Sequence, residues 1–93
     1  MNSIYPKNSE EMKRMEGMIR FVSLNRIGET IDVIGTDPGN LPQSALGIQQ
    51  LGDMLGNRLN LGSCFSAYVD GNGRYWCIQP EGDGLCAVEV AKL

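Results

Sequence analysis

Apolar residues along the chain change their spacing three times, and each change marks a different element. Met12, Met15, Ile19 and Val22 recur three and four residues apart, with Phe21 and Leu24 widening the stripe. That is the period of an amphipathic helix. Asn8 stands where an N-cap belongs, Glu11 can return a carboxylate to a free amide, and Glu10 lies near the positive end of the helix dipole. Glu10 with Arg14, and Glu16 with Arg20, are acid-before-base pairs four residues apart, each contributing about 0.3–0.5 kcal/mol on a solvated face. A first helix is therefore expected from Ser9 into the region that Gly28 ends. A second helix follows Asn40, with Pro42 in its first turn and Leu41, Ala45, Ile48, Leu51, Leu55 and Leu59 on one face. Gly47, Gly52 and Gly56 weaken it by roughly 1 kcal/mol each, so another backbone should approach it closely.

Downstream the period becomes two. Ser63 to Asp70 and Arg74 to Gln79 both alternate, and Gly71-Asn72-Gly73 between them supplies the positive φ of a tight hairpin. Alternation puts Phe65, Ala67, Val69, Trp76 and Ile78 on one face, read as core with Trp76 at its centre, and Ser66, Tyr68, Tyr75, Cys77 and Gln79 on the other. If residues 80–84 form a five-residue turn, a third strand, Leu85 to Lys92, turns Cys86, Val88 and Val90 to the core and Leu85 to the tyrosine face. Thr30 to Ile34 reads as a further short strand ahead of the breaker Thr36-Asp37-Pro38-Gly39. The expected fold is α+β: a two-layer sandwich of two helices on one face of a three- or four-stranded antiparallel sheet. Residues 1–93 form one small domain, and residues 1–8 a flexible arm.

Composition narrows the chemistry. The 93 residues hold 8 basic and 11 acidic side chains, a net charge of −3, and no histidine, so the commonest general base and metal ligand are both missing. The basic residues are scattered, which argues against nucleic acid, and no apolar run reaches the roughly 20 residues of a membrane span. Cys64, Cys77 and Cys86 are odd in number and lack the close pair of a zinc site, so reduced thiols and a cytoplasmic location are expected. Asp70-Gly71-Asn72 begins like a calcium loop, but Tyr75 occupies the position that must be glycine. The glycine-rich turns do not open helices and carry Glu81 and Asp83, which repel phosphate. No cofactor or metal is expected.

What core packing does not absorb is the tyrosine face. Tyr68, Tyr75, Ser66, Gln79 and Leu85 are the candidate protein-binding residues, because tyrosine joins a large apolar body to a polar tip at small entropic cost. The function expected is a non-catalytic protein-binding module, a small acidic regulator or inhibitor whose partner is another protein or its own copy. A phage-encoded inhibitor of a bacterial defence system is one concrete form of it. Two alternatives compete: a small-molecule or catalytic domain using Cys77 or Cys64 with Asp53, Glu89 or Tyr75, and a structural subunit that dimerises through the tyrosines.

Overall fold

A computed structural model describes residues 5–35 and 37–92; residues 1–4 of the expected arm, Thr36 of the breaker and Leu93 lie outside them. The elements run α1 (Ser9–Lys13), β1 (Met18–Leu24), β2 (Thr30–Ile34), α2 (Leu41–Arg58), β3 (Ala67–Asp70), β4 (Arg74–Glu81) and β5 (Gly84–Ala91). The strands form one antiparallel sheet in the order β2-β1-β5-β4-β3. The α+β class with two helices and an antiparallel sheet stands, with five strands in the place of three or four.

The additional strand comes out of the expected first helix. Its start forms as anticipated: Asn8 Oδ1 accepts from the Glu11 amide at 2.9 Å, and Glu11 Oε1 accepts from the Lys7 amide at 3.0 Å. The helix ends after Lys13, however, and Gly17 at φ +83° turns the chain into β1. Met18–Leu24 contains Ile19, Phe21 and Val22, residues that lose rotamer freedom in a helix and pack well on a pleated surface. Glu16 and Arg20 are therefore not a helical pair, and Arg20 reaches Glu89 across the sheet at 3.1 Å.

β5 occupies the middle of the sheet, and all six residues from Leu85 to Val90 are buried. Cover is needed on both faces, so the helices divide between them. On one side α2 sets Leu41 and Ala45 on Val22, Leu24, Ile78, Leu85 and Ala87, with Trp76 and Ala67 at the margin. On the other, Met12 of α1 packs with Phe21, Cys77, Cys86, Val88 and Val90, flanked by Tyr68 and Tyr75. Trp76 is thus a peripheral, half-buried residue, and Phe21 is the largest fully buried side chain.

A single turn explains the shift of β5 relative to expectation. Glu81 pairs with Gly84, so the β4–β5 loop is only Gly82-Asp83, with Gly82 at φ +59°, and Gln79 faces Cys86. This register differs by one residue from that of a five-residue turn, and one residue exchanges the faces of the whole strand. Leu85 joins the α2 side; Cys86, Val88 and Val90 join the tyrosines.

The arm corrects another expectation, since Pro6 is buried and its carbonyl accepts from Gln79 Nε2, while Ser9 Oγ donates to Glu81 Oε1 at 2.8 Å. Residues 5–8 are packed against the domain. Phe65 is overturned too: it precedes β3 and is 87% exposed.

The glycines of α2 play different parts. Gly52 and Gly56 continue the inward line of Leu41, Ala45 and Ile48, and a Cβ there would meet Cys64 and the Gly62 carbonyl, whereas one at Gly47 would meet open space. Chemical denaturation should separate them. Gly56→Ala should destabilise, because a backbone carbonyl must move, while Gly47→Ala should stabilise by up to about 1 kcal/mol. Phe21→Ala should cost about 3–5 kcal/mol, more than the same change at Trp76, as urea midpoints of the two variants would report.

Candidate functional site

The two tyrosines sit together as alternation requires. Tyr68 lies opposite Cys77, and Asp70 opposite Tyr75, in the β3–β4 hairpin. Their ring centroids are 5.3 Å apart at 39°, and Tyr5 adds an edge-on contact to Tyr68 at 5.3 Å and 61°. Both phenols hold their protons above the usual range, through partial burial first, with Asp70 adding at Tyr68 and Cys77 at Tyr75. The face is not the bare one expected, because α1 and residues 5–8 share it. Gln79 is engaged by Pro6, Ser66 is exposed just before β3, and its carbonyl accepts from Cys64 Sγ at 3.3 Å. Leu85 does not belong to the group: it is buried on the opposite face against Ile78 and Val22.

Of the residues that the cysteine alternative named, Cys64 and Asp53 lie together after α2, while Tyr75, Cys77 and Glu89 lie on the sheet. Cys77 and Glu89 occupy opposite faces of the sheet, since Glu89 lies opposite Trp76 and Cys77 opposite Val88. Burial raises the Cys77 thiol to about 11; burial, then the neighbouring Glu81, raises that of Cys86 to about 12. A nucleophilic thiol needs the reverse shift. Asp53 instead holds the loop after α2, accepting from the Cys64 amide at 2.6 Å while Gln49 Nε2 donates to the Cys64 carbonyl at 2.8 Å. Among the described residues no group of three or more acidic or cysteine side chains could hold a metal ion. No helix there is long and apolar enough to cross a membrane.

The larger candidate surface lies on the outer half of α2 and the loop after it, and includes Phe65, which alternation assigned to the core. α2 connects β2 at one edge of the sheet to β3 at the other in sequence, and its buried residues, Leu41 and Ala45, lie in its first half. Beyond Ile48, Leu51, Met54, Leu55 and Leu59 point outward, and Leu61 and Phe65 follow in the loop, all between 54% and 87% exposed. Scattered exposed apolar residues are ordinary, whereas six on one helix end and its following loop make the kind of apolar patch that calls for a covering partner. The signal was present in the sequence as a stripe running the length of the helix, from Leu41 to Leu59, more than a small sheet can cover. β3, at the end of the sheet, adds a row of backbone groups with no neighbouring strand.

The raised thiols and phenols make alkaline pH a test of this packing. In the unfolded chain these groups lose protons near their ordinary values, 9.0 for cysteine and 10.0 for tyrosine, while the folded chain retains them. The unfolded state then binds fewer protons, so stability is complete below about pH 9 and falls as pH rises towards 11–12. Melting temperature should drop as pH rises from about 8 to about 10.5, and Cys86→Ala should show a shallower drop from its own starting value. Parallel slopes in the two proteins would mean that burial of this thiol is not responsible.

Comparison with known proteins gives a fold and nothing finer. No family model matches the chain, and no curated protein matches it in sequence. Solved structures do match. A Roadblock/LC7 domain from Streptomyces avermitilis superposes with a TM-score of 0.76 at 22% identity, over 89% of this chain and 73% of its own. The gliding protein MglB from Thermus thermophilus gives 0.72 at 17% identity, over 89% of this chain and 67% of its own. A structure of MglB with a tetrameric arrangement gives 0.71 at 16% identity, over 88% of this chain and 65% of its own. The chain thus spans about two thirds to three quarters of these neighbours, and its fold is that of Roadblock/LC7 domains.

Proposed function

We propose that this chain is a non-catalytic protein-interaction module that pairs with a second copy of itself through the outer half of α2 and the β3 edge, and that regulates another protein from that dimer. The observation that carries the reading is the unpartnered apolar face formed by Leu51, Met54, Leu55, Leu59, Leu61 and Phe65 beside an open strand. A two-fold axis through such a face brings the same leucines against themselves, which needs no charge complementarity and leaves the acidic groups at the rim. The tetrameric arrangement of one neighbour of the same fold supports self-association. Tyr68, Tyr75 and Ser66 flank the same edge from the α1 side, with Gln79 fixing the strap that carries Tyr5; they form the rim across which the dimer meets its target. A phage-encoded inhibitor of a bacterial defence system is one form such regulation takes, and nothing in the fold favours it.

Light scattering on the eluting protein tests the pairing. The wild type should elute as a dimer at micromolar concentration, and Leu55→Asp should weaken association by about 2 kcal/mol, near thirtyfold, without lowering the unfolding midpoint of the protomer. A monomeric wild type, or a Leu55→Asp protein that dimerises as tightly as the wild type, would defeat the proposal. Tyr68→Ser with Tyr75→Ser should leave the dimer intact and abolish co-purification of the target. Loss of the fold in that double variant would return the tyrosines to the core.

A further inference from the structure

The opposite edge of the sheet is built differently from β3. β2 has a neighbour on one side only, and all of Thr30–Val33 is exposed. Natural edges are commonly blunted by lysine, by proline or by being very short. Thr30–Ile34 contains neither residue and is five residues long; its protection is one bulge against β1 at Ile31 and one charged side chain, Asp32. Val33 pairs with Val22 and so shares the α2 face; a bulge leaves Ile31 with Thr30 opposite Leu24, itself on that face, and Val33 and Ile31 are 38% and 64% exposed. Asp32 pairs with Ser23 on the α1 face, its side chain 51% exposed and in a long ion pair with Lys13 Nζ at 3.8 Å. Glu29 and Asp37 flank the strand and Arg26 is the single base, so residues 26–37 carry a net charge of −2. An open edge, apolar on one face and acidic on the other, has a defined complement.

We infer that β2 is a docking edge for an extended segment of another protein in which apolar β-branched residues alternate with lysine or arginine. The added strand places its apolar residues beside Ile31 and Val33 and its cation beside Asp32, because neighbours in a sheet keep their side chains on a common face. Main-chain hydrogen bonds along the edge supply affinity, and the alternation supplies register and choice. A second copy of this chain is a poor occupant. Antiparallel pairing that overlaps all five residues sets Asp32 against Asp32, and every register brings two acidic edges together. The site lies four strands from the β3 edge, so occupancy does not depend on the proposed dimer.

The probe is a peptide of about seven residues with blocked ends that alternates lysine with valine, and its control replaces each lysine by glutamate. Binding is followed by amide hydrogen exchange on the full chain. The lysine peptide should slow exchange across Thr30–Ile34 and leave Ala67–Asp70 unchanged, and the glutamate peptide should do neither. Asp32→Lys should weaken binding at least about tenfold, and Asp32→Asn by less, with circular dichroism verifying both folds. Protection at Ala67–Asp70, equal binding of the glutamate peptide, or no binding at about 1 mM would each overturn the inference.

Discussion

A strand that is apolar on both faces must be covered twice, and β5 imposes that demand on a chain of 93 residues. One cover is a five-residue helix with its preceding strap, the other an 18-residue helix whose first half lies on β1, β5 and β4. The two solutions are unequal. α1 is short enough that Met12 alone reaches the fully buried core and the tyrosines are left to finish the layer. α2 is longer than the sheet can use, so its apolar stripe runs past Ile48 into solvent. The surface that most needs a partner is a direct consequence of a central strand with no polar side.

Glu89 is the exception within β5, and it helps to fix the arrangement. It is 3% exposed, and its carboxylate lies between Arg20 Nε at 3.1 Å and Arg74 Nη1 at 2.7 Å, from the strands on either side. A one-residue slip would turn it to the α1 face, among Met12, Phe21 and Cys77, away from both guanidinium groups. An unpaired buried carboxylate costs several kcal/mol, so the register that pairs it is strongly preferred. Arg74, largely exposed on its other side, also closes a groove of about 280 Å³ with Trp76, Val69 and Asn40. Trp76 lines this groove, which is why it stands at the margin of the core.

How far the fold could be read from the chain varied with how local its determinants are. The β3–β4 hairpin was legible, since Asn72-Gly73 and strict alternation act within a few residues; Tyr68 and Tyr75 share the face that alternation assigns them. The start of α1 was legible for the same reason, through Asn8 and Glu11. Its end was not. Met12, Met15, Ile19 and Val22 fit a helical period equally well as a helical turn followed by a strand, and the choice lies in the pairing of β1 with β5, which local spacing does not contain. Leu85 was misplaced by a subtler ambiguity. Pro80-Glu81-Gly82-Asp83-Gly84 is rich enough in turn formers to support a five-residue loop, while pairing selects two. The core half of α2 and its outer half look alike in sequence, because a leucine stripe states what must be covered and not by whom.

The two edges of the sheet now take on distinct meaning. Both β2 and β3 leave backbone groups open, and a chain with two equivalent edges would add copies of itself without limit. Here the edges differ in what accompanies them. β3 is joined to an apolar helix face, whose proposed two-fold pairing would close on itself and stop. β2 carries Asp32 and is flanked by Glu29 and Asp37, which would repel the same edge of another copy. On this proposal, like charge opposes the second self-contact that would propagate a fibre, and the same charge favours a basic strand in its place. One small sheet can in this way hold a symmetric partner on one side and an unlike partner on the other, with the chemistry of the edge residues deciding which is which.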